Sequence, residues 1–229
     1  MLIGGFQKMT VQDFPEKIAC IIFTHGCNFK CPFCHNAALV TQEAEGISRE
    51  EIFSYLNKRR GVLDGVVISG GEPLLHGEAA FELMREIKSL GYLIKLDTNG
   101  YFPQRLKYVI ENGLVDYVAM DVKNSPEKYA KTAGIATLDF DNIKESIKII
   151  TESGVDYEFR TTVTRELHTK EDFVKIGELI RGAKRYYIQN FSDSGNLISN
   201  TSSPLDTQGL NALLDAVLPY VKGASVRGS

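Results

Sequence analysis

The sequence predicts an α/β fold built on a parallel sheet, arranged either as an open partial barrel or as a doubly wound sheet. Three observations carry this. Six short apolar runs, rich in β-branched and aromatic residues, read as strands buried on both faces. Each run is followed by a segment with helical spacing, and that alternation predicts parallel strands joined by right-handed crossovers. A closed eight-fold barrel needs two more units than the chain supplies.

The first strand is "IACIIFT" (18–24). Ser48, with Glu51 three residues later, forms a capping box ahead of Ile52, Tyr55 and Leu56, which share one helix face. The basic run "NKRR" (57–60) closes that helix, where cations complement its dipole. "GVVIS" (65–69) is the second strand, and Ala80, Leu83, Met84, Ile87 and Leu90 form the next helical stripe, ended by Gly91. "YLIKLD" (92–97) leads through "DTNG" to a helix starting near Pro103. "LVDYVAM" (114–120) leads through "DVK" to a short helix around Pro126, then to a longer one carrying Ile143, Ile147 and Ile150 and closed by Gly154. "VDYEFRTTV" (155–163) precedes a helix opened by Thr169 and Asp172, with Phe173, Ile176, Leu179 and Ile180 inward. "RYYIQNF" (185–191) is the sixth strand. The polar stretch "SDSGNLISNTSSP" (192–204) reads as a functional or flexible loop, and the last helix carries Leu210, Leu213, Leu214, Val217 and Leu218 before Pro219.

With 229 residues, 43% hydrophobic and 24% charged, the chain suits one soluble domain over 1–229, with a barrel core at about 16–220 and an N-terminal extension over 1–15. No run approaches the roughly 18 apolar residues of a membrane span, and the N-terminus lacks the pattern of a secretory signal, so the cytoplasm is the expected compartment. A net charge of −3 argues against gripping nucleic acid.

In parallel α/β sheets, chemistry collects at the C-terminal strand ends. Here those ends are "HGCNFKCPFCHN", "SGGEP", "DTNG", "MDVK", the segment from Arg160 to Thr164, and "QNF", all expected to face one cavity. Individually, a GGEP turn, an Asn-Gly turn and an alternating Asp121/Lys123 pair have ordinary readings. The cysteines do not. Cys27, Cys31 and Cys34 fall within eight residues, whereas a disulfide framework would spread its cysteines. Cys20, inside an apolar run, reads as a small hydrophobe. A structural zinc site wants four ligands, so three cysteines with His25 or His35 leave it open as the lesser reading. An iron–sulfur cubane held by three thiolates keeps one iron open for a ligand.

"CNFKCPFC" has the C-x3-C-x2-C spacing, with Phe33 before the last cysteine, and resembles the signature of radical S-adenosylmethionine (radical SAM) enzymes. With "ISGGEPLL", "KLDTNG", "DYVAMDVK" and "YEFRTTV" in order, the chain is similar to glycyl-radical-activating enzymes from about Thr10 to Phe191, most of all to the anaerobic ribonucleoside-triphosphate reductase activating proteins, cousins of the pyruvate formate-lyase activators. The resemblance implies a three-quarter (β/α)6 TIM-like barrel, with a [4Fe-4S] cluster on Cys27, Cys31 and Cys34. Reductive cleavage of S-adenosylmethionine there gives methionine and a 5′-deoxyadenosyl radical, which takes a hydrogen atom from a glycine Cα of a partner glycyl radical enzyme. It further implies that Gly70, Gly71, Glu72 and Pro73 hold the methionyl end. Asp97, Thr98, Asp121 and Lys123 place its carboxylate, the aspartates also offering a monovalent-cation site. Phe33 and His35 border the adenine, and Asn99 and Arg160 face the cofactor.

Two departures stand out. The formate-lyase activators carry a histidine at strand six, where this chain has "IQNF" and Gln189 is the candidate substitute. There is no inserted cysteine-rich ferredoxin-like domain, so the electron is expected from an external reductant such as flavodoxin or ferredoxin. Competing readings are an activase of a pyruvate formate-lyase-like enzyme, a radical SAM enzyme acting on a small molecule and a non-enzymatic metal or electron-transfer module.

Overall fold

The computed structural model describes residues 1–41, 46–193, 195 and 197–227. Among them eight strands form one sheet in consecutive order: β1 (Ile3–Thr10), β2 (Ala19–Thr24), β3 (Gly65–Gly70), β4 (Leu93–Thr98), β5 (Tyr117–Asp121), β6 (Asp156–Val163), β7 (Tyr186–Asn190) and β8 (Ala224–Arg227). β1 is antiparallel to β2, and every later pair is parallel. The helices are α1 (Ala37–Thr41), α2 (Arg49–Lys58), α3 (Glu78–Ser89), α4 (Pro103–Glu111), α5 (Tyr129–Thr132), α6 (Phe140–Glu152), α7 (Lys170–Leu179) and α8 (Thr207–Val217).

Consecutive strand order decides between the two architectures. A doubly wound sheet reverses its order at a switch point; here it never reverses, so right-handed crossovers lay all the helices on one face. The sheet ends at β1 and β8 without closing, giving an open, partial TIM-like barrel.

Alternation along each strand separates two environments. The register row Ile22, Ile68, Leu96, Val118 and Tyr157 turns toward the helices and is buried among Leu83, Ile87, Leu106 and Ile143. The opposite face carries a small apolar floor of Phe14, Ala19, Ile21, Val67, Tyr117 and Ala119. Above that floor the concave face turns polar, with Lys95, Asp97, Asp121, Glu158, Arg160 and Gln189.

All six expected strands form within a few residues of their expected bounds, and Cys20 lies fully buried in the core, with burial pushing its thiol to about 12. The sheet also reaches past both limits of the expected 16–220 core. Residues 3–10 are its first edge strand, and β8 pairs with β7 at the other edge. Both are partly exposed edge strands, β1 carrying two glycines and β8 only four residues long, so neither shows the continuous apolar run of a central strand. The Thr169/Asp172 capping box is complete, while at α2 only Ser48 Oγ accepts, from the Glu51 N–H at 3.1 Å. Of the polar stretch 192–204, Ser194 and Asn196 lie outside the described residues. The Ser199 N–H donates to Pro32 O at 3.1 Å, which brings this stretch against the cysteine loop. No helix among the described residues is long and apolar enough to cross a membrane.

Candidate active site

The strand ends meet at a cavity of about 350 Å³. Its wall includes Cys27, Cys31, Phe33, Cys34 and His35 from the cysteine loop and Gly70 and Gly71 from the end of β3. The ends of β4 and β5 supply Asp97, Thr98, Asn99, Asp121 and Lys123, and β6 and β7 supply Arg160 and Gln189. Of the sixteen residues singled out from the sequence, Glu72 and Pro73 are not on this wall; both are buried behind it.

Neighbouring loops fix the cysteine loop through backbone contacts. The Glu72 N–H donates to Gly26 O and the Lys30 N–H to Ala133 O, both at 2.8 Å. The approach is so close that a Cβ on Gly71 would lie 1.9 Å from Gly26 O, and one on Gly134 2.0 Å from Lys30 O. Only glycine fits at either place.

The thiols are free, and burial pushes Cys27 to about 12 and Cys31 to about 11, against the opposing pull of Lys123. Such thiols ionise when a bound cation compensates the charge. Among the described residues no three His, Cys, Asp or Glu side chains gather tightly enough to hold a single metal ion. Three thiols on one wall suit a cubane, whose irons sit at separate corners. Asn28 supports a guest there: its Oδ1 accepts from Asn99 Nδ2 at 2.9 Å, while its own Nδ2 is buried without a partner.

Beside the thiols runs a ladder of ion pairs. Lys95, 2% exposed, pairs with Asp97. Arg160 reaches Asp97 at 3.5 Å and, through Nε, Asp121 at 2.8 Å; Lys123 Nζ meets Asp121 at 3.0 Å. Burial alone would raise both carboxyls, but Arg160 holds Asp97 below the usual range and Asp121 well below it, with Lys123 helping at Asp121 and Lys95 at Asp97. Burial would likewise lower Lys123, and Asp121 more than reverses that. Lys123 and Arg160 are the cations this wall offers a carboxylate guest, and the expected monovalent cation would have to compete with these pairs.

Glu72 does different work from that expected. Its carboxylate is fully buried and accepts from the Asn99 N–H at 2.7 Å, Thr98 Oγ1 at 2.8 Å and the Leu74 N–H at 3.0 Å. It braces the ends of β3 and β4 instead of reaching the cavity. His35 stacks on Phe191, centroids 5.8 Å apart. Asp13, Ser69 and Thr162, none singled out individually from the sequence, also line the wall, the last two within strand ends expected to face it. Thr162 is two residues beyond Arg160, so period-2 alternation would have found it. Asp13 comes from the β1–β2 turn, for which the sequence carried no strand signal. A second cavity of about 660 Å³ shares Asp13, His35, Arg160, Thr162 and Gln189 with the first and adds Gln12, Lys95, Asn190, Ser192 and Arg227.

The fold and this wall define a class. The model of the radical SAM superfamily matches residues 21–180. A Methanocaldococcus jannaschii protein named as a glycyl-radical enzyme activating enzyme is 37% identical over 194 residues, covering 83% of this chain and 80% of that one. The pyruvate formate-lyase-activating enzyme of Clostridium pasteurianum is 25% identical, covering 80% of this chain and 77% of its own. The crystal structure of Streptococcus suis SuiB bound to S-adenosylmethionine shares the fold, with a TM-score of 0.69 at 16% identity over 91% of this chain and 50% of that one. The chain belongs to the radical SAM superfamily, among its glycyl-radical enzyme activating enzymes.

Proposed function

We propose that this protein activates anaerobic ribonucleoside-triphosphate reductase by installing its glycyl radical. In this reading Cys27, Cys31 and Cys34 would hold the [4Fe-4S] cluster, which would supply the electron for reductive cleavage of S-adenosylmethionine to methionine and a 5′-deoxyadenosyl radical. Gly70 and Gly71 present backbone to the methionyl group. Lys123, with Arg160 behind it, receives the carboxylate. Phe33 and His35 flank the adenine, and Asn99 and Gln189 close the remaining wall. Hydrogen-atom abstraction needs no general base, in keeping with a wall whose acids are all ion-paired or held in hydrogen bonds.

The observation that carries the reading is the pair of adjoining cavities. The smaller abuts the thiols; the larger adjoins it and offers amide side chains at Gln12 and Gln189 to an extended segment. A partner's glycine loop entering there would meet the cofactor at the shared residues. The electron comes from an external donor such as flavodoxin or ferredoxin, and the protein works in the cytoplasm, apart from membranes and nucleic acid.

The test is anaerobic reconstitution with iron and sulfide, reduction with S-adenosylmethionine, and assay of 5′-deoxyadenosine, followed by electron paramagnetic resonance on a mixture with the reductase. A doublet glycyl signal is expected. No cleavage by a verified cubane would remove the radical chemistry; cleavage with a radical raised only on a formate-lyase-type partner would reassign the partner.

A further inference from the structure

His168 lies in the connection from β6 to α7, 4% exposed, outside the cavity wall. Its ring makes two hydrogen bonds of opposite sense. The Thr164 N–H donates to Nδ1 at 3.1 Å, and Nε2 donates to the carbonyl oxygen of Lys123 at 2.9 Å. Those partners fix the tautomer, since a backbone N–H only donates and a carbonyl only accepts. A doubly protonated ring would set two donors against each other at Thr164.

The next residue repeats the stitch. Asn124, fully buried, donates through Nδ2 to Leu167 O at 3.0 Å and to Thr132 Oγ1 at 2.9 Å. Two loops from neighbouring strands are thus joined by side chains immediately behind Lys123, beyond the last register pair of β5 and β6, Asp121 with Arg160. Phe33 and Phe173 pack edge-on against the imidazole, with centroids at 6.5 and 6.2 Å. Burial lowers the basicity of the ring, the direction the two hydrogen bonds require.

We propose that His168 is a positioning residue for Lys123: it clamps the Lys123 carbonyl to the β6–α7 connection and so sets where the ammonium meets the carboxylate of S-adenosylmethionine. The inference rests on the reading of Lys123 given above. An ammonium placed only by its pair with Asp121 would keep its charge and lose its aim, and misplacement of a binding group by about an ångström is costly.

His168→Phe keeps a ring against Phe33 and Phe173 while deleting both hydrogen bonds; His168→Gln restores a donor and an acceptor. Each is reconstituted and compared with wild type for iron and sulfide content and for S-adenosylmethionine affinity, read by titrating the cluster's electron paramagnetic resonance signal. The Phe variant is expected to hold wild-type iron and to bind about tenfold more weakly. The Gln variant should recover most of that loss. In a Lys123→Met background, His168→Phe should cost little more, since its effect passes through Lys123. Unchanged affinity in the Phe variant overturns the inference. So does iron lost in step with affinity, or an undiminished effect in the Lys123→Met background. A reconstituted wild type that binds no S-adenosylmethionine would instead overturn the underlying reading.

Discussion

Glu72 permits the sharpest energetic prediction. Burial raises its carboxyl from an ordinary 4.5 to about 7, and the Asn99 N–H, the Thr98 hydroxyl and the Leu74 N–H only partly offset this. The sign follows from linkage. A folded pKa above the unfolded value means that the native state binds the extra proton, so this stabilisation is complete below about pH 4.5 and is lost as pH rises through about 7. At roughly 1.4 kcal/mol for each pH unit of separation, the full loss is about 3 kcal/mol. Glu72→Gln is neutral at every pH and removes that slope while retaining an acceptor for the brace. Relative to wild type, the Gln variant should therefore improve by about 3 kcal/mol between pH 4.5 and pH 8, measured by urea unfolding of the cluster-free protein with both chains compared at each pH. A difference that does not change with pH would mean that three donors suffice to keep Glu72 ionised throughout, and the burial argument would be wrong. Glu72→Ala is the complementary perturbation: it strands the Asn99 and Leu74 N–H groups, at about 1–3 kcal/mol each, and should destabilise at all pH values.

The remaining predictions concern the cluster and the cofactor. Cys31→Ala should lose the cluster, while Cys20→Ala should keep it, by iron and sulfide analysis; loss in the latter would mean that the ligands have been miscounted. Lys123→Ala should leave iron content intact and weaken S-adenosylmethionine binding by about tenfold or more, the value of one charge-assisted hydrogen bond, and unchanged affinity would remove Lys123 from the site. Gly71→Ala should displace the cysteine loop, because its Cβ would lie 1.9 Å from Gly26 O; cluster yield should fall sharply, and normal yield would show that the loop can yield at no cost.

Much of this was legible in the sequence, for identifiable reasons. The central strands are buried on both faces and so read as continuous apolar runs, and parallel topology then puts their polar C-terminal ends together. β1 and β8 were not legible because an edge strand needs neither face fully buried, and "ASVR" has no pattern that distinguishes it from a loop. The Glu72 side chain turns behind the wall, which its motif does not reveal, since a motif says which residue stands there and not which way its side chain turns. His168 showed no signal at all. Its partners, Thr164 and the Lys123 carbonyl, are brought to it by the pairing of β5 with β6, and a bond to a backbone carbonyl leaves no mark in residue type.

The concave face poses an energetic question that the apolar core does not. An interior ladder from Lys95 through Asp97, Arg160 and Asp121 to Lys123 is a poor way to stabilise a barrel, because desolvation of buried ions commonly matches or exceeds their mutual attraction and apolar residues of similar volume do as well or better. The helix-facing side of the same strands uses that apolar solution: Ile22, Ile68, Leu96 and Val118 are all fully buried there. Both choices were therefore open to this sheet, and the charged one is confined to the side that lines the cavities. Its Lys123 ammonium acts on thiols that need compensation in order to ionise and lines a cavity with room for a carboxylate. Groups already fixed and desolvated need little reorganisation when such a guest arrives, which is the advantage a preorganised polar site has over water. The polar face is thus best explained by binding, and the burden of stability falls on the helical side.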